Sequence, residues 1–285
     1  MQTKNDLFAD LHTHTSESDG LLSPIQLIDE AAEQELAAIA ITDHDTVAAF
    51  SQAQAHAKQY GIEVIPGIEL SASVVNTEVH ILGYFIDPQS DLLATYLTKL
   101  VQARVDRAHA IVDNLNALGH PIEFEHVLVR AEKDVIARPH IAEAMVDCGI
   151  VDTYIDAFDL WIADGKPACV EKENPTAESV IELIHSICGI AVLAHPGIHF
   201  PMRLLRELMK SGLDGIEVVH PRHNLYAQNH FMKVAQDSGL VMTGGSDYHG
   251  GRKLNESVGS HSVPYKFVEQ LRLQHLAVKR KNLQI

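Results

Sequence analysis

Short apolar runs in this chain end, one after another, on or near a histidine or a carboxylate, and most alternate with helical patterns. The run over 6–14 alternates like a strand, and Ser23 and Pro24 then supply an N-cap and a first helical residue. Ile25, Ile28, Ala32 and Leu36 follow on one helical face. Residues 38–42 read as a second strand, 47–60 as a helix stopped by Gly61, and 62–66 as a third strand ending near Glu69. A fourth strand covers 79–85. Late in the chain, helices over 177–188, 202–210 and 224–238 lead into strands at 189–194, 214–219 and 240–243. Such alternation implies a parallel α/β sheet or barrel. About seven strands favour a closed or nearly closed barrel over a doubly wound sheet.

The rhythm breaks in the middle. From Asp91 to Gly119 one long helical pattern carries Leu93, Leu97, Leu100, Ala108, Ile111, Leu115 and Leu118 on one stripe. Helix-like pieces continue to about Gly165 with no good strand among them. Residues 97–167 are therefore expected to form an all-helical insertion between barrel segments 1–96 and 168–285.

The residues at the strand ends carry the functional signal. His12 and His14 are two apart on a strand, so both side chains leave the same face. Asp247 and His249 repeat that spacing after the last strand. Asp19, His44, Glu69, His80 and His195 lie between them in sequence, most of them at or just beyond strand C-termini. In a barrel those ends converge on one mouth, where such folds place active sites. One His-x-His on a strand is weak on its own, Asp19 before Gly20 also suits a turn, and Asp43 and Asp45 also suit a helix cap. A shared metal site accounts for all nine together, and imidazole mixed with carboxylate suits Mn, Fe or Zn. The other histidines mostly read as solvated or capping residues, with His140, His220 and His223 standing apart.

Composition narrows the class. The formal charge of −16 argues against a broad electrostatic footprint on nucleic acid. At 46% hydrophobic and 21% charged residues, the chain has the apolar surface to pack and to offset ordering entropy. No apolar run approaches the roughly 20 residues of a membrane helix, and the N-terminus lacks a signal-peptide core. Cys148, Cys169 and Cys188 show no paired spacing, so buried thiols in a reducing cytoplasm are expected, with no stable protein partner evident.

Read together, Asp10-Leu-His-Thr-His-Thr15, Ile41-Thr-Asp-His-Asp45, Pro66-Gly-Ile-Glu69, Val79-His-Ile-Leu-Gly-Tyr84, Ala194-His-Pro196 and Gly245-Ser-Asp-Tyr-His249 resemble the successive motifs of the PHP (polymerase and histidinol phosphatase) superfamily. With the helical insertion and Arg138-Pro139-His140, the chain is similar to its bacterial 5′-3′ exoribonuclease and 3′,5′-nucleoside bisphosphate phosphatase subgroup. The resemblance implies a distorted (β/α)7 barrel with three divalent ions, manganese first and iron or zinc also suitable. It implies His12, His14, Glu69 and Asp247 on one ion, Asp19, His44 and His249 on a second, and Glu69, His80 and His195 on a third.

A function follows from that resemblance as an expectation. Nucleotides, or short RNA with a 5′-phosphate, would be hydrolysed by metal-activated water. No nucleophile motif is present, and no GxxxxGK[ST] loop points to an ATP-driven reaction. Three ions against three carboxylates leave about +3 locally, enough to draw a phosphate into an acidic protein. Arg138 and His140 are expected to clasp a terminal phosphate, Arg138 as a bidentate fork, with the insertion acting as a substrate lid. The competing expectations are a phosphatase for a small metabolite such as histidinol phosphate and a non-catalytic PHP docking module.

Overall fold

A computed structural model describes residues 7–131, 136–250 and 257–282. Asp6, the first residue of the expected first strand, and positions 132–135 of the expected insertion lie outside the described residues. The chain divides into two compact units, one formed by Met1–Leu93 with Asn174–Ile285 and the other by Ala94–Glu173.

The first unit is built on one sheet with strand order β7-β6-β5-β4-β3-β2-β1-β8. Strands β1 (Phe8–Thr13), β2 (Ala38–Ile41) and β3 (Glu63–Val74) pair in parallel. Helices α1 (Pro24–Glu33) and α2 (Phe50–Ala57) connect them and cover their outer face. Leu27, Ile28 and Ala31 of α1 and Ala53 and Ala57 of α2 share one apolar cluster with Ile39, Ile41 and Val64. Ser23 caps α1 by accepting the Gln26 N–H, as its sequence signature implies.

One part of the sequence reading needs correction. Strand β3 does not end near Glu69 but runs to Val74, turns through Val75 and Asn76, and returns as antiparallel β4 (Thr77–Tyr84). Both turn residues have positive φ, 47° and 59°, the geometry that matches a two-residue hairpin to strand twist. The connection is far too short for a parallel crossover, which needs roughly a dozen residues or more. Glu69 therefore stands in mid-strand, and His80 projects from a strand running the other way. After α3 (Asp91–Ala117), which leads into the second unit, and that unit's own helices, the barrel resumes. Helix α7 (Ala177–Ser186) precedes β5 (Ile190–Leu193), which pairs antiparallel to β4 and parallel to β6 (Gly215–Val219).

Strand β7 (Val241–Gly244) follows in parallel, and two residues, β8 (Val263–Pro264), add an antiparallel edge beside β1 that sequence periodicity does not anticipate. The segment after β7 swings back along β1. Asp247 N–H donates to the His12 carbonyl at 2.8 Å, and His14 N–H donates to the Tyr248 carbonyl at 3.0 Å, which brings the sheet close to closure. That approach requires Gly245, where any Cβ would overlap the His12 backbone. Helices α8 (Met202–Lys210), α9 (Leu225–Ser238) and α10 (Lys266–Asn282) complete the unit.

The second unit holds most of α3, then α4 (Phe124–Arg130), α5 (Arg138–Asp147), α6 (Tyr154–Ala157) and a π-helical turn over Phe158–Ile162. Its core is apolar, drawing Ile111 and Leu115 from α3, Val127 from α4 and Ile141 and Met145 from α5. No described helix in the chain is long and apolar enough to cross a membrane.

Candidate metal centre

Strand β1 buries Ala9 and Leu11 on one face and Asp10 and His12 on the other, with His14 continuing the polar side just past the strand end. Two loops are pinned beside it. Asp10 accepts the Ser246 N–H at 2.9 Å, the Ser246 hydroxyl at 2.6 Å and the Gly259 N–H at 2.8 Å, which fixes the loop carrying Asp247 and His249. Asp43 accepts from Thr15 N–H, the Thr15 hydroxyl and the Ser18 hydroxyl, each at 2.6 Å, which fixes the loop carrying Asp19. Both aspartates act as rigid loop anchors, because a buried carboxylate takes several donors at once.

The structure brings all nine sequence-selected residues into one cluster. Glu69 stands at its centre. His14 Nε2 and His12 Nε2 each lie 3.2 Å from Glu69 Oε2, and His44 Nδ1 lies 3.4 Å from it. On the other oxygen, His80 Nδ1 approaches Glu69 Oε1 to 2.8 Å and His195 Nε2 to 3.0 Å. Asp247 Oδ1 is 3.3 Å from His12 Nε2 and 3.2 Å from His14 Nε2, while Asp19 Oδ1 is 3.3 Å from His249 Nε2. Donor atoms group within 4.8 Å as His12–His14–Glu69–Asp247, as His14–Asp19–His44–His249 and as His44–Glu69–His80. His195 and Asp247 both adopt positive φ, 27° and 51°, backbone that residues other than glycine seldom take.

The electrostatics are those of ligands crowded together. Burial opposes ionisation of Glu69, but the surrounding imidazoles, His12 first, hold its carboxyl well below the ordinary range. Asp247 also sits low against the cost of burial, chiefly through His12. His14 is pushed up to about 9, burial being outweighed by the Asp247 and Glu69 carboxylates. His44 goes the other way, down to about 4, because burial dominates.

These residues fit divalent ions. Neither ring nitrogen of fully buried His14 finds a hydrogen-bond partner among the described residues, although Nε2 is 3.2 Å from two carboxylate oxygens. Atoms that near without hydrogen-bond geometry match ligands sharing one ion at about 2.1 Å each. The mixed imidazole and carboxylate set suits Mn, Fe or Zn.

The PHP domain model matches residues 10–186. The chain belongs to the PHP family. Among the relatives of this PHP chain, the 5′-3′ exoribonuclease Rnm of Escherichia coli is 33% identical, the match covering 84% of either protein. A 3′,5′-nucleoside bisphosphate phosphatase of Chromobacterium violaceum is 34% identical over 88% of this chain and 90% of its own. A solved structure of an amidohydrolase from Chromobacterium violaceum, with sulfate bound and no metal, superimposes with a TM-score of 0.73. It is 32% identical and covers 93% of the PHP chain and 96% of its own.

Arg138 and His140 lie in the helical unit, at the start of α5, where Pro139 occupies the first turn. Arg138 Nη1 donates to Asp164 Oδ1 at 2.6 Å and to the Ile162 carbonyl at 3.3 Å, so its guanidinium already has a carboxylate partner. The Ala137 N–H donates to His140 Nδ1 at 3.1 Å, which leaves the His140 proton on Nε2.

Three buried residues that the strand-end reading leaves out of the site also belong to the cluster. Glu217 contacts His12 Nδ1 at 2.9 Å, His220 Nε2 contacts Asp247 Oδ2 at 3.1 Å, and His223 accepts the Gly197 N–H at 3.1 Å. The available signal for Glu217 is a lone carboxylate inside the otherwise apolar strand run 215–219.

Proposed function

We propose that this PHP chain is a metal-dependent phosphoesterase of nucleotides. It removes the 3′-phosphate of 3′,5′-nucleoside bisphosphates and releases 5′-mononucleotides from the 5′ end of short RNA. The observation that carries the proposal is the intact nine-residue cluster around Glu69, in a chain whose relatives include an exoribonuclease and a bisphosphate phosphatase. His12, His14, Glu69 and Asp247 would hold one ion, Asp19, His44 and His249 a second, and Glu69, His80 and His195 a third, with manganese first among candidate metals. Ions held there supply Lewis acidity toward a phosphoryl oxygen and lower the pKa of bound water. The chain's own part is to hold Glu69 ionised between the sites and to keep His44 neutral near pH 7.

The helical unit sets selectivity in this reading, because it contributes none of the nine residues and carries Arg138 and His140. A 5′-phosphate would displace Asp164 from Arg138 and accept a hydrogen bond from His140 Nε2–H, which fits charge-assisted recognition of an anion. The free thiols of Cys148, Cys169 and Cys188 support a cytoplasmic setting. The test is a panel of a 3′,5′-bisphosphate, 5′-phosphorylated trinucleotide RNA and histidinol phosphate, run on protein whose metal content is measured first. The nucleotide substrates are expected to give the higher kcat/KM. Preference for histidinol phosphate would replace this reading with the small-metabolite one, and no turnover by metal-replete protein would favour a docking module.

A further inference from the structure

Glu217, His12 and His220 bring one donor atom each within 4.8 Å of one another, which by distance alone resembles another ion site. Their protons argue otherwise. His220 Nδ1 accepts the Arg222 N–H at 3.0 Å, so the proton of the neutral ring must sit on Nε2, which donates to Asp247 Oδ2 at 3.1 Å. His12 Nδ1 lies 2.9 Å from Glu217 Oε1, and an ionised carboxylate only accepts, so Nδ1 carries a proton too. Neither nitrogen that faces this trio has a lone pair to offer an ion.

We propose that Glu217 and His220 are positioning residues that select, ahead of metal binding, which atoms of His12 and Asp247 face the ion cluster. This inference rests on the metal reading of the nine-residue cluster. With its proton held on Nδ1, His12 can present only Nε2 as a ligand, and that atom points at Glu69 Oε2 and Asp247 Oδ1, 3.2 and 3.3 Å away. With Oδ2 occupied by His220, Asp247 presents Oδ1 to His12 and His14.

Glu217 does a second thing from the same carboxylate. Its Oε2 accepts the backbone N–H of His195 at 2.8 Å, which secures a residue held at φ 27°. His223 closes the same loop, its Nδ1 donating to the Val218 carbonyl at 3.1 Å while its Nε2 accepts from Gly197 N–H. One fully buried carboxylate thus ties a ligand on β1 to the ligand that follows β5. Partners beyond the ligands of this kind orient rings and raise ligand basicity.

Glu217→Gln separates this role from packing, because it keeps the shape but leaves a single acceptor oxygen for two N–H donors. If that oxygen keeps His195, the amide NH₂ confronts His12 Nδ1–H. The ring must then turn, or move its proton to Nε2 and block the ion. The experiment is zinc titration of metal-free protein by chelator competition, with ¹⁵N-histidine long-range NMR spectra of the zinc-loaded form. Wild type is expected to show His12 protonated on Nδ1 and His220 on Nε2. Glu217→Gln is expected to keep its circular dichroism, lose the His12 Nδ1–H signal and bind its weakest-held zinc about 10–100-fold less tightly. His220→Ala should weaken zinc binding without moving the His12 proton. Equal zinc affinity in wild type and Glu217→Gln overturns the inference and leaves the metal reading standing. So does a wild-type His12 protonated on Nε2, a result that needs no variant to fold. A wild type that takes up no zinc, manganese or iron overturns the metal reading, and this inference with it.

Discussion

Both compact units bury an apolar core, but only one of them adds buried polar and charged side chains to it. Every buried polar or charged residue among the described residues belongs to the barrel unit, from Asp10, His12 and His14 to Glu217, His220 and His223. The buried core of the helical unit is aliphatic and small, built on Ile111, Leu115, Ile141, Met145 and their neighbours. Burying a charge without a partner is costly, so the barrel unit gathers its carboxylates and imidazoles into one network, in which fully buried His14 is left without a hydrogen bond on either ring nitrogen among the described residues. A core of the helical kind needs only shape and volume. Chemistry is therefore concentrated in one unit, and a mutation should reveal by its phenotype which kind of core it enters.

Glu69→Gln should give the largest effect. It removes the one charge that contacts five of the six cluster histidines. Turnover is expected to fall on the order of 10³-fold or more, with loss of bound metal and retention of fold. Metal analysis beside kcat checks it, and full metal with wild-type turnover would break the contrast between the units. Leu115→Ala, in the fully buried helical core, should instead cost about 2–5 kcal/mol of that unit's stability. Chemical denaturation measures this, and metal content of the folded protein should be unchanged.

Arg138→Ala sharpens the comparison, since it asks whether the helical unit contributes recognition at all. A charge-assisted phosphate contact is worth about 1.5–3 kcal/mol, or one to two powers of ten. The variant should lose that factor on 5′-phosphorylated RNA and little on the 5′-hydroxyl form, read as kcat/KM on matched oligonucleotides. An equal loss on both would mean that the Arg138–Asp164 pair serves only the fold.

The smallest effect concerns protons. His14 is held at about 9 in the folded metal-free protein, above the ordinary 6.5, so its contribution to stability is complete below pH 6.5 and is lost as pH rises through 9. His44, at about 4, behaves oppositely: the unfolded chain binds its proton more readily, so stability falls as pH drops from 6.5 toward 4. Zinc uptake at pH 7 should therefore release protons, His14's among them, and release should shrink above pH 9. Calorimetry in buffers of different ionisation enthalpy measures the number.

Much of the site was legible because β-strands repeat every two residues and barrel strands deliver their ends to one place. His12 with His14, and Asp247 with His249, announce shared faces through spacing alone. Glu69 and His80 were legible as site residues but not as a hairpin pair, since Val75 and Asn76 carry no glycine to mark a turn with positive φ. The two residues of β8 are too few to show any period. Glu217 was hidden because a single charge in a short apolar strand reads equally well as an exposed edge position.

By itself, the order of residues determined the alternation of strand and helix, the apolar stripe of the long α3 and the identity of nine chemically matched side chains. These depend on local backbone periodicity, which the chain carries without help from distant segments. Only the tertiary structure decided that Glu69 receives histidines on both oxygens, that Asp10 and Asp43 anchor loops, and that Glu217 joins His12 to His195. Those contacts join positions up to 249 residues apart. Their geometry exists only once the sheet has curved far enough for Asp247 N–H to reach the His12 carbonyl.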